Sequence, residues 1–204
     1  MRRTKAEAAA TRDSIITAAQ FLFLEQGVSQ TTLAHIAKRA NVTRGAIYFH
    51  FADKAEIFRA MIQKVRFPQE SLIEEAQQSD SINPLDILEK SAAGAFKIFS
   101  EDEQQQRIVT IITQRCEYVG AFSKNVERLR QAQNSMLDLF IRLLQVAQDR
   151  QMLNQDFSPE DAARMLVAII GGIISEWLHS GKTFDLQKIG NQIVSIQIKA
   201  LRST

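Results

Sequence analysis

An all-α fold is what this sequence predicts, and three observations carry the expectation. Apolar residues recur at three-and-four spacing through most of the 204 residues. Turn formers are scarce, with 8 Gly and 3 Pro, too few for the tight turns of a β-sandwich or barrel. Helix-start signals precede the periodic runs, among them Asn83-Pro84 and Ser158-Pro159-Glu160-Asp161. A composition of 45% hydrophobic and 24% charged residues excludes disordered and fibrous classes. The single cysteine, Cys116, rules out an internal disulfide and cannot by itself make a zinc site. The longest uncharged apolar stretch, Met165 to Ser175, falls short of a membrane span, and no apolar signal segment opens the chain. A soluble, cytoplasmic protein with no membrane partner is expected.

The elements follow in order. Ile15, Ala19, Leu22 and Phe23 mark the buried face of a first helix, which Gly27 stops with a left-handed residue. Thr31 or Thr32 caps a second helix with Leu33, Ile36, Ala37 and Ala40 on its apolar face. Asn41 falls at the turn, where positive φ is needed. Thr43 caps a third, two-turn helix ending near Phe51. Asp53 and Glu56 form a capping box for a fourth, expected to run to about Arg66 before Pro68 interrupts the chain. Longer helices are predicted from Asn83-Pro84 to about Ser100, Glu103 to Tyr118, Ser123 to Gln151, Ser158 to Leu178, and from Asp185 onward. The helix behind Ser158 is apolar nearly all round, so burial on more than one side is expected.

Charge divides the chain into a head, residues 1–66, and a body, residues 67–204. The head carries 11 Lys/Arg against 5 Asp/Glu, the body 14 against 18. A basic head on an acidic body points to a polyanion that meets the head alone. Within the head, two short helices joined by a tight turn, the second opening Thr-Arg-Gly, form the layout of a helix-turn-helix. Ala37 is small where the helices cross, and Val42 and Ile47 fix the second against the first. Helical phase then turns Arg44, Gly45 and Tyr48 outward together. Arg44 can fork onto guanine O6 and N7, Gly45 allows close approach of a phosphate, and Tyr48, His50 and Lys54 offer donors to phosphate oxygens.

The run from Thr31 to Lys54, TTLAHIAKRANVTRGAIYFHFADK, resembles the DNA-binding signature of the TetR family, and within it the AcrR-like branch of multidrug efflux pump repressors. The opening MRRTKAEAAATRDSIITAAQ and the RCEYVG run at 115–120 resemble that branch too. Two positions depart from its pattern. Asn41 stands where the family usually has Gly, and Phe49 where the branch usually has Trp, keeping an apolar wedge but losing one donor.

The resemblance implies about nine helices, a homodimer through the last two, and a ligand cavity in the body whose occupation separates two DNA-reading heads. It implies double-stranded DNA with a palindromic operator as partner, contacted by Thr32, Thr43, Arg44, Gly45, Tyr48, His50 and Lys54. Packing between helices is the competing role for Tyr48 and His50. For the cavity, helical phase and the family's usual lining select Phe96, Val109, Thr113, Met136, Phe140 and Ile173 for a hydrophobic effector. Either Glu117 or Glu176 is placed to offset a cationic one. Phe and Met suit an adaptable pocket, although a plain core is the competing reading.

No cofactor, metal or catalytic set emerges. Glu176-Trp177-Leu178-His179 has the spacing used by di-iron bundles, but that chemistry needs the motif twice. Cys116 has no histidine near it in sequence, and no phosphate-cradling or nucleophile-elbow motif is present. Two other classes stand beside the repressor: a DNA-binding regulator controlled by a partner protein, and a helical enzyme or carrier, for which a cofactor signal is lacking.

Overall fold

The computed structural model describes residues 4–65, 83–118 and 122–203, with all side chains among them except 123–126, 128 and 132. Among the described residues the regular structure is all α: α1 (Lys5–Gln26), α2 (Leu33–Arg39), α3 (Arg44–His50), α4 (Lys54–Ile62), α5 (Pro84–Glu101), α6 (Glu103–Gln114), α7 (Ser123–Asp149), α8 (Pro159–His179) and α9 (Leu186–Leu201).

The start signals act as their chemistry dictates. The side chains of Thr32, Thr43, Asn83, Ser158 and Asp185 each accept a backbone N–H of the helix that follows, satisfying donors that the first turn leaves orphaned. Thr31 is buried instead, its hydroxyl donating to the Gly27 carbonyl at 2.8 Å. The Asp53 box is shifted by one residue: Asp53 accepts from Glu56 N, but Glu56 accepts from Ala52 N. Gly27 at φ 82° and Asn41 at φ 53° both take positive φ; Gly27, with ψ 161°, is extended there rather than in the left-handed helical turn expected of it. At the far end α4 closes at Ile62, short of the run to about Arg66 expected of it, because the chain turns there: the Lys64 N–H donates to the Met61 carbonyl at 3.1 Å and the Val65 N–H to that of Ile62 at 3.0 Å; the break at Pro68 lies outside the described residues.

A second helix is also shorter than expected. α6 ends at Gln114 rather than Tyr118, because the chain turns there to make tertiary bonds. The Arg115 carbonyl accepts the Val28 N–H at 3.0 Å, and the Tyr118 hydroxyl donates to the Ile112 carbonyl at 2.7 Å.

Two compact units result: Met1–Arg66 with Glu103–Arg128, and Phe67–Asp102 with Leu129–Thr204. This grouping differs from the division expected after residue 66, in that Glu103–Arg128 cluster with the head. The physical reason lies at Phe58. This buried ring of α4 meets Phe23 of α1 at 6.0 Å, Tyr118 at 6.3 Å and Phe122 at 5.5 Å between centroids. Arg107 of α6 adds a guanidinium 4.1 Å from the centre of the Phe21 ring.

The second unit is built on α5 packed along α9. Phe99 of α5 meets Trp177 of α8 edge-on at 6.1 Å, and the Trp177 indole N–H donates to the Phe184 carbonyl at 2.9 Å. The chain end is stapled: Asn154 N–H donates to the Leu201 carbonyl, Ser203 N–H to that of Met152, and Arg202 pairs with Asp86. The helix behind Ser158 departs from expectation. Only 22% of its apolar stretch is buried within the chain, and by length and composition α8 is long and apolar enough to cross a membrane. Its glycines, Gly171 and Gly172, face open space, so this side lacks the cover that its composition calls for.

Candidate nucleic-acid interface

The first unit presents α3 as its outer element. Ile47 is the fully buried residue of α3 and anchors its inner side. Thr43 sets where the helix begins by accepting the Ala46 N–H at 3.1 Å, and the Val42 N–H donates to the Ala37 carbonyl at 3.0 Å across the turn from α2. With α3 pinned in this way, Arg44, Gly45 and Tyr48 all lie exposed on it.

Arg44 and Tyr48, one turn apart, support each other. The guanidinium donates to the Tyr48 hydroxyl at 3.1 Å and lies 5.6 Å from the ring centre. The contact restrains a long side chain without using up the five donors of its fork. At Gly45 an added Cβ would meet only Thr43 Oγ1 at 3.8 Å, and φ is not in the left-handed region. Neither packing nor backbone geometry requires glycine there. A requirement from outside the chain remains, namely room for an approaching backbone.

His50 is half-buried, its ring 5.0 Å from Phe49 and 6.4 Å from Phe51. Arg12 lies 4.9 Å from the Phe51 ring centre and ties the far end of α3 back to α1. Sequence reasoning gave Phe49 as an apolar wedge but left it out of the outward-facing set. It is 80% exposed, and its spacing of four from Gly45 puts both on one face, a signal already legible in the heptapeptide RGAIYFH. A bare ring on that face suits a thymine methyl.

Lys54 turns inward. Its ammonium, expected on a phosphate, donates to the carbonyls of Val28 at 2.6 Å, Ser29 at 3.1 Å and Thr31 at 2.7 Å. An ammonium has three donors, and all three are taken. Thr32 stays exposed at the start of α2 with its hydroxyl oxygen capping His35 N.

The residues selected for an effector divide between the two units. Val109, half-buried, and Thr113 and Glu117, both exposed, belong to the first. In the second, Phe96 and Phe140 are buried, Met136 and Ile173 half-buried, and Glu176 exposed. Thr113 directs its hydroxyl to the Val109 carbonyl at 2.9 Å, the usual back-bond of a helical threonine.

Residues 15–61 match the family model of bacterial regulatory proteins of the tetR family, and residues 83–203 match the C-terminal region of MAATS-type transcriptional repressors. This chain belongs to the tetR family. Among relatives of this tetR-family regulator, the HTH-type transcriptional repressor BepR of Brucella suis is 51% identical over 203 residues, covering 100% of this chain and 97% of BepR. The HTH-type transcriptional regulator TtgR of Pseudomonas putida is 35% identical, covering 91% of this chain and 89% of TtgR. The crystal structure of NalD, the secondary repressor of the MexAB-OprM multidrug efflux pump in Pseudomonas aeruginosa, superposes with a TM-score of 0.87 at 34% identity, covering 97% of this chain and 98% of NalD. As a tetR-family member the chain is a DNA-binding transcription regulator rather than an enzyme.

Proposed function

We propose that this regulator is a repressor that binds a palindromic operator as a dimer, controls a multidrug efflux pump operon, and is released by hydrophobic, drug-like ligands. The exposed face of α3 carries the reading: Arg44 stays available for base edges, and Gly45 leaves open space that nothing in the chain fills. Thr32, Thr43, Tyr48 and His50 are assigned to the phosphates around it, and Phe49 joins Arg44 in the groove.

The dimer is assigned to α8 and α9. The poorly covered side of α8 and the exposed Ile196 of α9, at 68%, are apolar surface that a second copy removes from water. On this reading α8 is an interface helix rather than a membrane span, and the protein is cytoplasmic. Phe96, Met136, Phe140 and Ile173 are assigned to apolar contact with the effector, and Glu176 to a cationic centre where one is present. Support for the effector class comes from relatives. NalD is described as a repressor of a multidrug pump, and SmeT, 29% identical with a TM-score of 0.79 over 95% of this chain and 92% of SmeT, was solved as a complex with triclosan.

The experiment is operator binding followed by fluorescence anisotropy, with and without triclosan, on duplexes selected from random sequence by the protein. A dimer on a near-palindromic site, weakened at least tenfold by triclosan or another apolar drug, is expected. Tight drug binding with unchanged operator affinity would remove the effector mechanism, because a ligand with equal affinity for both states shifts nothing. Control by a partner protein would then replace it.

A further inference from the structure

Lys54 stands at the first position of α4 with its ammonium turned inward. The three carbonyls that it holds, Val28, Ser29 and Thr31, belong to the loop between α1 and α2, and Phe122 adds its ring 5.8 Å from the cation. That loop is tied on its other sides as well. The Val28 N–H goes to the Arg115 carbonyl at 3.0 Å, and the buried Thr31 hydroxyl takes a bond from the Gln26 amide at 3.1 Å while donating to Gly27. The next residue, Thr32, caps α2, so the path of the loop decides where α2 begins and where α3 follows.

We propose that Lys54 is the positioning cation of the DNA-reading head: it draws the α1–α2 loop onto the start of α4, sets α2 and α3 through it, and takes no phosphate itself. The inference rests on the reading that this head binds an operator. Three carbonyl dipoles converging on one point suit a compact ammonium and do not suit a planar guanidinium, whose donors diverge in a fixed fork. Burial also pushes the Lys54 amine below the ordinary lysine range, as desolvation of an inward-facing cation requires.

Lys54→Met and Lys54→Arg separate a positioning cation from a phosphate contact. Both variants are expected to lose about tenfold in operator affinity well below their melting midpoints, with little change on unrelated duplex and an unchanged salt slope. A phosphate contact predicts otherwise. Arg would restore affinity, and Met would flatten the slope by about 1.8 for two copies at about 0.9 each, which would overturn the proposal.

Hydrogen exchange on the free protein reads the positioning without DNA. Exchange at Val28 and through α2 is expected to speed at least tenfold in both variants, and unchanged exchange there overturns the proposal. If wild type binds no duplex at all, the operator reading has failed while this arm still stands. Should the variants not fold, wild type with lysine labelled at Nζ serves instead. Its Lys54 ammonium is expected to stay bonded to the three carbonyls when the duplex is added, and transfer to a phosphate overturns the assignment.

Discussion

The ring of Phe96 lies so close over the backbone of Gly190 that a Cβ there would sit 2.7 Å from Phe96 Cε2 and 2.8 Å from Cδ2. Phe96 is fully buried, so its ring has nowhere to swing. Gly190→Ala therefore sets two effects against each other. Ala is favoured over Gly in a helix interior by about 1 kcal/mol, while overpacking a closed core costs about 1–3 kcal/mol. The steric cost is expected to win, lowering the urea midpoint. In a Phe96→Leu background the same substitution should become neutral or stabilising, and a double-mutant cycle in urea reads that coupling. Additive losses would show that the ring and the glycine do not constrain each other.

Arg44 is expected to govern specificity. Arg44→Ala should weaken operator binding by about 1–3 kcal/mol and relax preference at one base position in each half-site. Tyr48→Phe removes the hydroxyl that accepts the Arg44 guanidinium at 3.1 Å and should cost less, because the ring contact at 5.6 Å persists. Anisotropy titrations against duplexes varied one position at a time check both. Specificity retained after Arg44→Ala would transfer base reading to another side chain, with Phe49 the first to examine.

Helix starts were legible because their chemistry is local. Thr32, Thr43, Asn83, Ser158 and Asp185 act on N–H groups two or three residues ahead, within reach of any reading of the chain. The outward set of α3 was legible from helical phase alone. Lys54 was not, since its partners stand 23 to 26 residues away and are backbone carbonyls, which carry no residue signature. That Glu103–Arg128 cluster with the head was not legible for a related reason. Their apolar pattern shows a helix with a buried face, but not that Tyr118 and Phe122 spend that face on Phe58. The open side of α8 was misread because an apolar surface looks the same in sequence whether its cover comes from its own chain or from another.

Cys116 is expected to be a poor nucleophile. Burial, and next the neighbouring Glu117 carboxylate, push its thiol up to about 11, against the opposing pull of Lys54. The thiolate is the reacting form, so a raised value makes it scarce at neutral pH. Alkylation by iodoacetamide near pH 8 should run roughly a hundredfold slower than for a free cysteine, by thiolate fraction alone. The logarithm of the rate should keep rising with pH and level only near 11. A rate that levels near the ordinary thiol value would mean the site is open to water. A regulator switched by oxidation of this thiol would need the opposite shift.

Gly45 separates stability from binding more cleanly than any other position on α3. Within the chain an added methyl meets only Thr43 Oγ1 at 3.8 Å, an ordinary contact, and the backbone is not left-handed. Gly45→Ala should therefore hold or raise the melting midpoint, since alanine loses less backbone entropy on folding, by about 0.4–1 kcal/mol. Operator affinity should move the other way. The methyl would stand on the exposed face beside Arg44, where a DNA backbone drawn in by that arginine has to pass. A clash that holds the helix back from the groove lengthens every bidentate bond at once, and a loss of tenfold or more corresponds to about 1.4 kcal/mol. Calorimetry and anisotropy on the same preparation give both numbers. Stability gained with affinity lost is the expected pair, and it assigns the glycine to the DNA. Affinity that survives the methyl would mean the duplex approaches α3 along its other edge, through Tyr48 and Phe49, with Gly45 left to solvent.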